Sequence, residues 1–255
     1  MSSQLLLGDV FELNIPKDSF YMAILDPPID SNTSDKDASG LCEKIAKLTY
    51  KSLIPGSSCF FFCNDLSLIN YVSVFKKAGF YLHDMFIWET TPGADTKKPL
   101  FLEFMSRNDM INSIKWDGWA IGKPRTMGYL IFWFLKPFPK LPDALISENF
   151  LKYGVGAFNY ASFEELTGFN TNIIREAMPS PKLHPRHKPV KLLQSLIELT
   201  TQKKQIIFDP FCGIGTTAVA AIRSEREYFL VDTNHEYISI AESLVKKELD
   251  KKEGE

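Results

Sequence analysis

The chain is poor in the residues that build metal clusters and disulfide frameworks. It holds 4 cysteines and 4 histidines in 255 residues. Cys42, Cys59, Cys63 and Cys212 fall at spacings that form no paired zinc pattern, and the apolar run Cys59-Phe60-Phe61-Phe62-Cys63 reads as a buried strand rather than a ligand pair. No leader-like stretch opens the sequence, so reduced thiols in a cytoplasmic setting are the expectation. No apolar stretch has the length of a membrane span, so no membrane partner is expected. Repeats and low-complexity tails are missing, and with them the solenoid and disordered classes. Nor is there a strong charge of one sign: the formal net charge is −2, unlike the basic chain that a nucleic-acid binder often is.

What is present is ordinary for a soluble globular enzyme, 45% hydrophobic and 24% charged residues. That length and composition suit one sizeable core, and a single domain over 1–255 is expected. The small net charge conceals an uneven distribution, because residues 92 to 190 are net basic and the two ends net acidic. The middle is therefore the part suited to a polyanion. An unevenly charged solvated surface accounts for the same pattern equally well.

Apolar runs punctuated by polar turns set the expected elements. Leu5 to Leu7 and Phe20 to Leu25 read as strands ending at Gly8-Asp9 and Asp26-Pro27-Pro28. A helix over 36–54 is expected to stop at Pro55-Gly56, followed by a strand from Ser58 to Cys63, a helix from Leu66 to Ala78 and a strand from Phe80 to Glu89. From Thr90 to about Lys182, Pro and Gly interrupt the pattern, and only Gly128 to Leu135 stands out as a strand. A helix opening at Pro189, a strand from Gln205 to Phe208, a helix from about Thr216, a strand from Tyr228 to Val231 and a helix from Glu236 complete an α/β alternation.

Two turns carry candidate chemistry. Phe208 to Thr217 joins a strand to a helix through Gly213 and Gly215, where the backbone must bend tightly and approach a ligand; free N–H groups near Thr216 and Thr217 suit a carboxylate. Ordinary strand-helix turns carry Gly-x-Gly as well. Asp232 stands at the tip of the next strand, where a Rossmann-like site binds ribose hydroxyls, and a cap for the following helix is the competing reading. In the N-terminal part, the prolines of Asp26-Pro27-Pro28-Ile29 fix the backbone so that the Asp26 carboxylate and the Pro27 carbonyl can grip one amino group. Alone, that tetrapeptide reads more simply as a rigid turn. His184 and His187 have no carboxylate or cysteine at ligand spacing, so no metal is expected.

Together these segments resemble a known family. Asp209-Pro210-Phe211-Cys212-Gly213-Ile214-Gly215-Thr216-Thr217 is similar to the S-adenosylmethionine loop of the DNA amino-methyltransferases, and His184-Pro185-Arg186-His187-Lys188-Pro189 to the His-Pro-Thr-Gln-Lys-Pro segment that precedes it. Asp26-Pro27-Pro28-Ile29 resembles the Asp-Pro-Pro-Tyr signature, and Gly8-Asp9 the earlier Gly-Asp that contacts the cofactor adenine. Catalytic signature first and cofactor loop last is the order of the β group.

The resemblance implies a permuted Rossmann-like class I methyltransferase fold, a mostly parallel seven-stranded sheet with helices on both faces. It assigns 1–91 to a catalytic half, 92–183 to variable target recognition and 184–255 to cofactor binding. It implies transfer of a methyl group from S-adenosylmethionine to N6 of adenine, with N4 of cytosine as the alternative because Ser often replaces the first Asp in cytosine enzymes. Asp26, Pro27, Pro28 and Ile29 would be catalytic; Asp9, Lys188, Asp209, Phe211, Gly213, Gly215, Thr216, Thr217 and Asp232 would hold the cofactor. Lys115, Lys123, Arg125, Lys136 and Lys140 are candidates for phosphate contacts and Trp116 and Trp119 for stacking, although both tryptophans suit a core equally. Expected partners are duplex DNA, a cognate restriction endonuclease and a second copy of the chain. One departure is Ile29, where the family carries an aromatic that stacks on the extruded base; Trp88 or Phe60 to Phe62 would have to compensate. A non-catalytic DNA-binding subunit, or an RNA or small-molecule methyltransferase, is the rival reading.

Overall fold

The computed structural model describes residues 2–29, 34–63, 68–89, 128–137, 173–176 and 187–254. Numbered within these residues, the strands are β1 (Gln4–Leu7), β2 (Phe20–Leu25), β3 (Leu53–Cys63), β4 (Tyr81–Glu89), β5 (Gly128–Leu135), β6 (Ile173–Arg175), β7 (Ile206–Asp209) and β8 (Glu227–Asp232). The helices are α1 (Asp35–Ser52), α2 (Leu68–Ala78), α3 (Val190–Thr200), α4 (Thr216–Arg223) and α5 (His235–Glu253).

All eight strands form one sheet in the order β1-β8-β7-β2-β3-β5-β4-β6. Only β5 runs antiparallel to its neighbours, β3 and β4; every other described pairing is parallel. The central strands are buried on both faces, as parallel strands covered by helices must be, and so read as continuous apolar runs. On one face Met22, Ile24, Phe60, Ile207 and Leu230 pack with Leu193 and Leu196 of α3 and Ala218 and Ile222 of α4. On the other, Ala23, Leu25, Phe61, Phe208 and Phe229 pack with Ile45 and Ala46 of α1 and Phe75 of α2. The alternation of odd and even positions between the two clusters is the period of a strand.

The permuted Rossmann-like architecture expected from the resemblance is the one observed, with one strand more. β6 is a three-residue piece that extends β4 through Ile87↔Ile173, Trp88↔Ile174 and Glu89↔Arg175, too short to announce itself by alternation. β3 also starts earlier than expected. α1 ends at Ser52 and the chain enters the sheet at Leu53 with no loop between. Pro55-Gly56 lies inside β3, where the register against β2 jumps from Phe20↔Leu53 to Met22↔Ser58. Gly56 takes φ 86° there, a left-handed value suited to glycine, and the bulge absorbs the proline.

From β2 the chain crosses to β3 on one side; from β7 it crosses to β8 on the other. β2 and β7 lie side by side through Met22↔Ile207 and Ala23↔Phe208. The crevice beyond their C-terminal ends is thus a topological switch point, where open α/β sheets bind ligands.

Candidate functional site at the switch point

A cavity of about 700 Å³ opens there, within the range of small-molecule sites. It is framed by the turn after β2, the loops after β1 and β8, the entry to α3 and the loop between β7 and α4. Of the 13 positions expected to be catalytic or cofactor-binding, all but Gly215 line it.

The β7–α4 loop is built by its acids and glycines. Asp209, 4% exposed, accepts from the Phe211 N–H at 3.0 Å and from the Thr217 hydroxyl at 2.6 Å, pinning the turn to the first turn of α4. Gly213 has φ 51°, and a Cβ placed on it would meet nothing within 4 Å, so the loop there faces open space. Gly215, also left-handed at φ 79°, serves differently: a Cβ would lie 2.6 Å from that of Ala241. It is glycine because α5 packs against it, which corrects the expectation that it faces a ligand.

Asp232 clamps this loop to the next one. Its Oδ2 accepts from the Gly213 N–H at 2.8 Å and its Oδ1 from the Asn234 N–H at 2.9 Å. The competing reading of Asp232 as a helix cap is settled by Asn234, whose side chain accepts from Glu236 N–H at 2.9 Å and Tyr237 N–H at 3.2 Å and is the N-cap of α5. Asp9 is exposed at the rim, where its Oδ1 takes the Phe11 N–H at 2.9 Å.

On the opposite wall, Asp26 follows β2 directly. Pro27 is buried and Pro28 exposed, and the Pro27 carbonyl accepts the Ile29 N–H at 2.7 Å, a tight turn that keeps one carbonyl lone pair uncommitted. Ile29 is 9% exposed and packs into the cluster that holds Phe61 and Tyr71. Lys188, 5% exposed, donates from Nζ to Oδ2 of Asp26 and lies 5.4 Å from the centre of the Phe62 ring.

Three carboxylates and one ammonium thus face one space. Burial pushes the Asp209 carboxyl up from 3.8 to about 7, and the nearby Asp26 and Asp232 charges add to the rise, against the Thr217 and Phe211 hydrogen bonds. Burial, with Asp209 and Asp232 beside it, also raises the Cys212 thiol, which stays protonated and is no nucleophile. No group of three metal-ligating side chains occurs among the described residues. The cavity is suited to a cation bearing hydroxyl or amino groups.

Other expectations are redirected. Lys136 is not available to a phosphate: it is 7% exposed, its Nζ donates to Asp18 at 2.8 Å and to the Leu53 carbonyl at 2.6 Å, and the Tyr50 ring lies 4.9 Å away. It follows the C-terminus of the antiparallel β5, whose Leu135 pairs with Ser58, and so sits at the end of the sheet away from the cavity. Trp88 is wholly buried, with its indole N–H on the Glu176 carbonyl at 2.8 Å, and cannot stack on a ligand. Lys115, Lys123, Arg125, Lys140, Trp116, Trp119 and His184 lie outside the described residues. Phe11, Tyr71, His187 and Tyr237 line the cavity without having been singled out. Tyr237 follows Asp232 by little more than one turn of α5, a spacing that could have marked it.

Fold and site define a Rossmann-like α/β protein with an acid-lined ligand cavity at its strand-order reversal. The chain belongs to the N6/N4 DNA methylase family, whose model matches residues 20–243. It is 32% identical over 202 residues to the type II methyltransferase M.HindIII of Haemophilus influenzae, an alignment that takes in 75% of this chain and 64% of that one. The chain therefore spans just under two thirds of that relative's length. Among solved structures, TTHA0409 of Thermus thermophilus, complexed with S-adenosyl-L-methionine, superposes with a TM-score of 0.68 at 17% identity, over 96% of this chain and 94% of its own. The PvuII cytosine-N4-specific DNA methyltransferase gives 0.66 at 18% identity, over 98% and 91%. At such identities the likeness is one of fold.

Proposed function

We propose that the protein transfers a methyl group from S-adenosylmethionine to N6 of adenine in duplex DNA. The observation that carries this reading is the meeting of Asp26 and the Gly213 loop, from opposite parts of the chain, in one cavity. The residues present fit the cofactor. The open space beside Gly213 admits a ligand against the backbone, the start of α4 suits a carboxylate, and the surrounding acids suit a sulfonium and an ammonium. Asp232 and Asp9 would take the nucleoside hydroxyls and base, and Asp209 and Thr217 would border the amino-acid end. When bound, the cofactor supplies an electrophilic methyl group.

The chain's own task is to prepare the nucleophile. An exocyclic amine is a weak nucleophile because its lone pair is shared with the ring. The Asp26 carboxylate and the free lone pair of the Pro27 carbonyl accept its two N–H bonds and localise that pair on nitrogen, an electrostatic and orienting effect. As the new N–C bond forms, the surplus proton leaves through the Asp26 carboxylate to water. Cytosine N4 offers the same two N–H bonds and is the base named for the PvuII enzyme; adenine is preferred because the first signature residue is Asp.

The test is incubation with tritiated S-adenosylmethionine and unmethylated mixed-sequence duplex DNA, followed by digestion to nucleosides. Label is expected in N6-methyladenine, and Asp26→Ala should reduce it by about 10²–10³-fold. Label in N4-methylcytosine would transfer the reading to cytosine, and absence of label on DNA would overturn it.

A further inference from the structure

Lys188 stands where a cofactor-binding role does not account for it. It comes from the entry to α3, 162 residues along the chain from Asp26, and its ammonium crosses the cavity to Oδ2 of that carboxylate. Burying an ammonium is unfavourable unless a counter-charge receives it. Asp26 is that counter-charge, and the Phe62 ring at 5.4 Å supplies a cation-π face on the other side. The backbone at this point is held on both sides. Residue 188 precedes a proline, which restricts it to extended conformations, and Pro189 is the N-cap of α3, whose Leu192, Leu193 and Leu196 are at most 1% exposed. A long side chain on so fixed a base reaches a defined point. Among the described residues, no hydrogen bond falls on Oδ1 of Asp26, and the Asp26 side chain remains 34% exposed.

We propose that Lys188 is a positioning residue for the transfer, a role that rests on the function proposed above. It fixes Oδ2 and so fixes the carboxylate plane, leaving Oδ1 as the acceptor for the target amine. Lys188 acts through Asp26 and touches neither base nor methyl group. This role replaces the one that its place in the sequence suggested, at the methionine end of the cofactor. It also couples the halves: the segment that opens α3 in the C-terminal half sets the orientation of a catalytic side chain in the N-terminal half.

The experiment compares wild type, Lys188→Met, Lys188→Gln, Asp26→Asn and the Lys188→Met/Asp26→Asn double variant. It measures kcat and KM for methyl transfer to duplex DNA, with the Kd of S-adenosylmethionine by calorimetry. Loss of orientation should lower kcat of Lys188→Met by about 10²-fold, while the cofactor Kd, which also reports a folded site, stays within about twofold. Lys188→Gln, which keeps an N–H donor, should recover part of the loss. The double variant should be no worse than Asp26→Asn, because two residues acting through one carboxylate are not additive. A cofactor Kd that rises as far as kcat/KM falls, or additive losses in the double variant, would overturn the role and return Lys188 to cofactor binding. A wild type that labels DNA with Lys188→Met unimpaired overturns the role alone; a wild type that leaves no label overturns the proposed function and the role together.

Discussion

Replacing Asp209 with asparagine should reverse sign in its effect on stability between pH 4 and pH 8. Asp209 is 4% exposed, and burial lifts its carboxyl from the ordinary 3.8 to about 7. Below the ordinary value, folded and unfolded chains both carry the proton and the group contributes no pH dependence. Between the two values the unfolded chain has released its proton while the folded one keeps it, so folding loses about 1.4 kcal/mol per pH unit. Above about 7 the folded group ionises too and the loss levels off at about 4 kcal/mol, an upper figure for a site that can admit water. Asparagine does not titrate. Its amide oxygen can still accept the Phe211 N–H, while Thr217 loses its anionic acceptor, at a cost of about 1 kcal/mol. The variant should therefore be slightly less stable than wild type at pH 4 and more stable by up to about 3 kcal/mol at pH 8. Urea unfolding of both proteins without ligand, followed by tryptophan fluorescence at each pH unit, measures the difference directly. A difference constant over that range would refute the argument, because it would mean that Asp209 titrates alike in the folded and unfolded chains. If the cavity takes a cationic cofactor, saturating S-adenosylmethionine should also shrink the wild type's loss, since a bound cation favours the ionised carboxylate.

Gly215→Ala should cost about 2–4 kcal/mol, combining left-handed strain with overlap against α5; unfolding midpoints check this, and a neutral substitution would show that α5 yields. Ile29→Tyr restores the ring of the family signature and should tighten productive binding of the extruded base by about 1–3 kcal/mol. It would be read as a lower KM for DNA, and an unchanged or higher KM would mean that another ring already serves.

The sequence and the structure agree most closely where an element carries its own signal. β2 and β5 have the expected limits, Phe20–Leu25 and Gly128–Leu135, because each is an uninterrupted apolar run with a breaker at its end. The Gly213 loop was legible because a left-handed turn between a strand and a helix leaves glycine as its trace. Gly215 was half legible: its type follows from φ 79°, but its partner Ala241 lies 26 positions on and has no local mark. Long-range partners explain the other differences. Lys136 carries the charge of a phosphate contact and only the tertiary fold brings Asp18 and the Leu53 carbonyl to it. Pro55-Gly56 signals a break in any local reading, yet β3 runs through it, because pairing with β2 and β5 on either side outweighs one missing N–H.

The acids of the cavity also distinguish this site from the dinucleotide sites that share its strand-turn-helix geometry. In those sites a glycine turn and a helix N-terminus offer free N–H groups to a pyrophosphate. Here the Gly213 N–H is already donated to Asp232 and the Phe211 N–H to Asp209. The donors that would receive phosphate oxygens are thus answered by the protein's own carboxylates. Each of those carboxylates would in turn repel an anion at the turn, in a setting where burial weakens screening. A nucleoside that carries positive charge in place of phosphate meets the opposite balance: the same acids attract it, and Gly213 leaves it room. The lysine ammonium that faces this space, that of Lys188, is held by Asp26 on the far wall, so the loop side keeps its negative character. That separation of charge between the two walls lets one cavity admit a cationic methyl donor on one side and orient a neutral amine on the other.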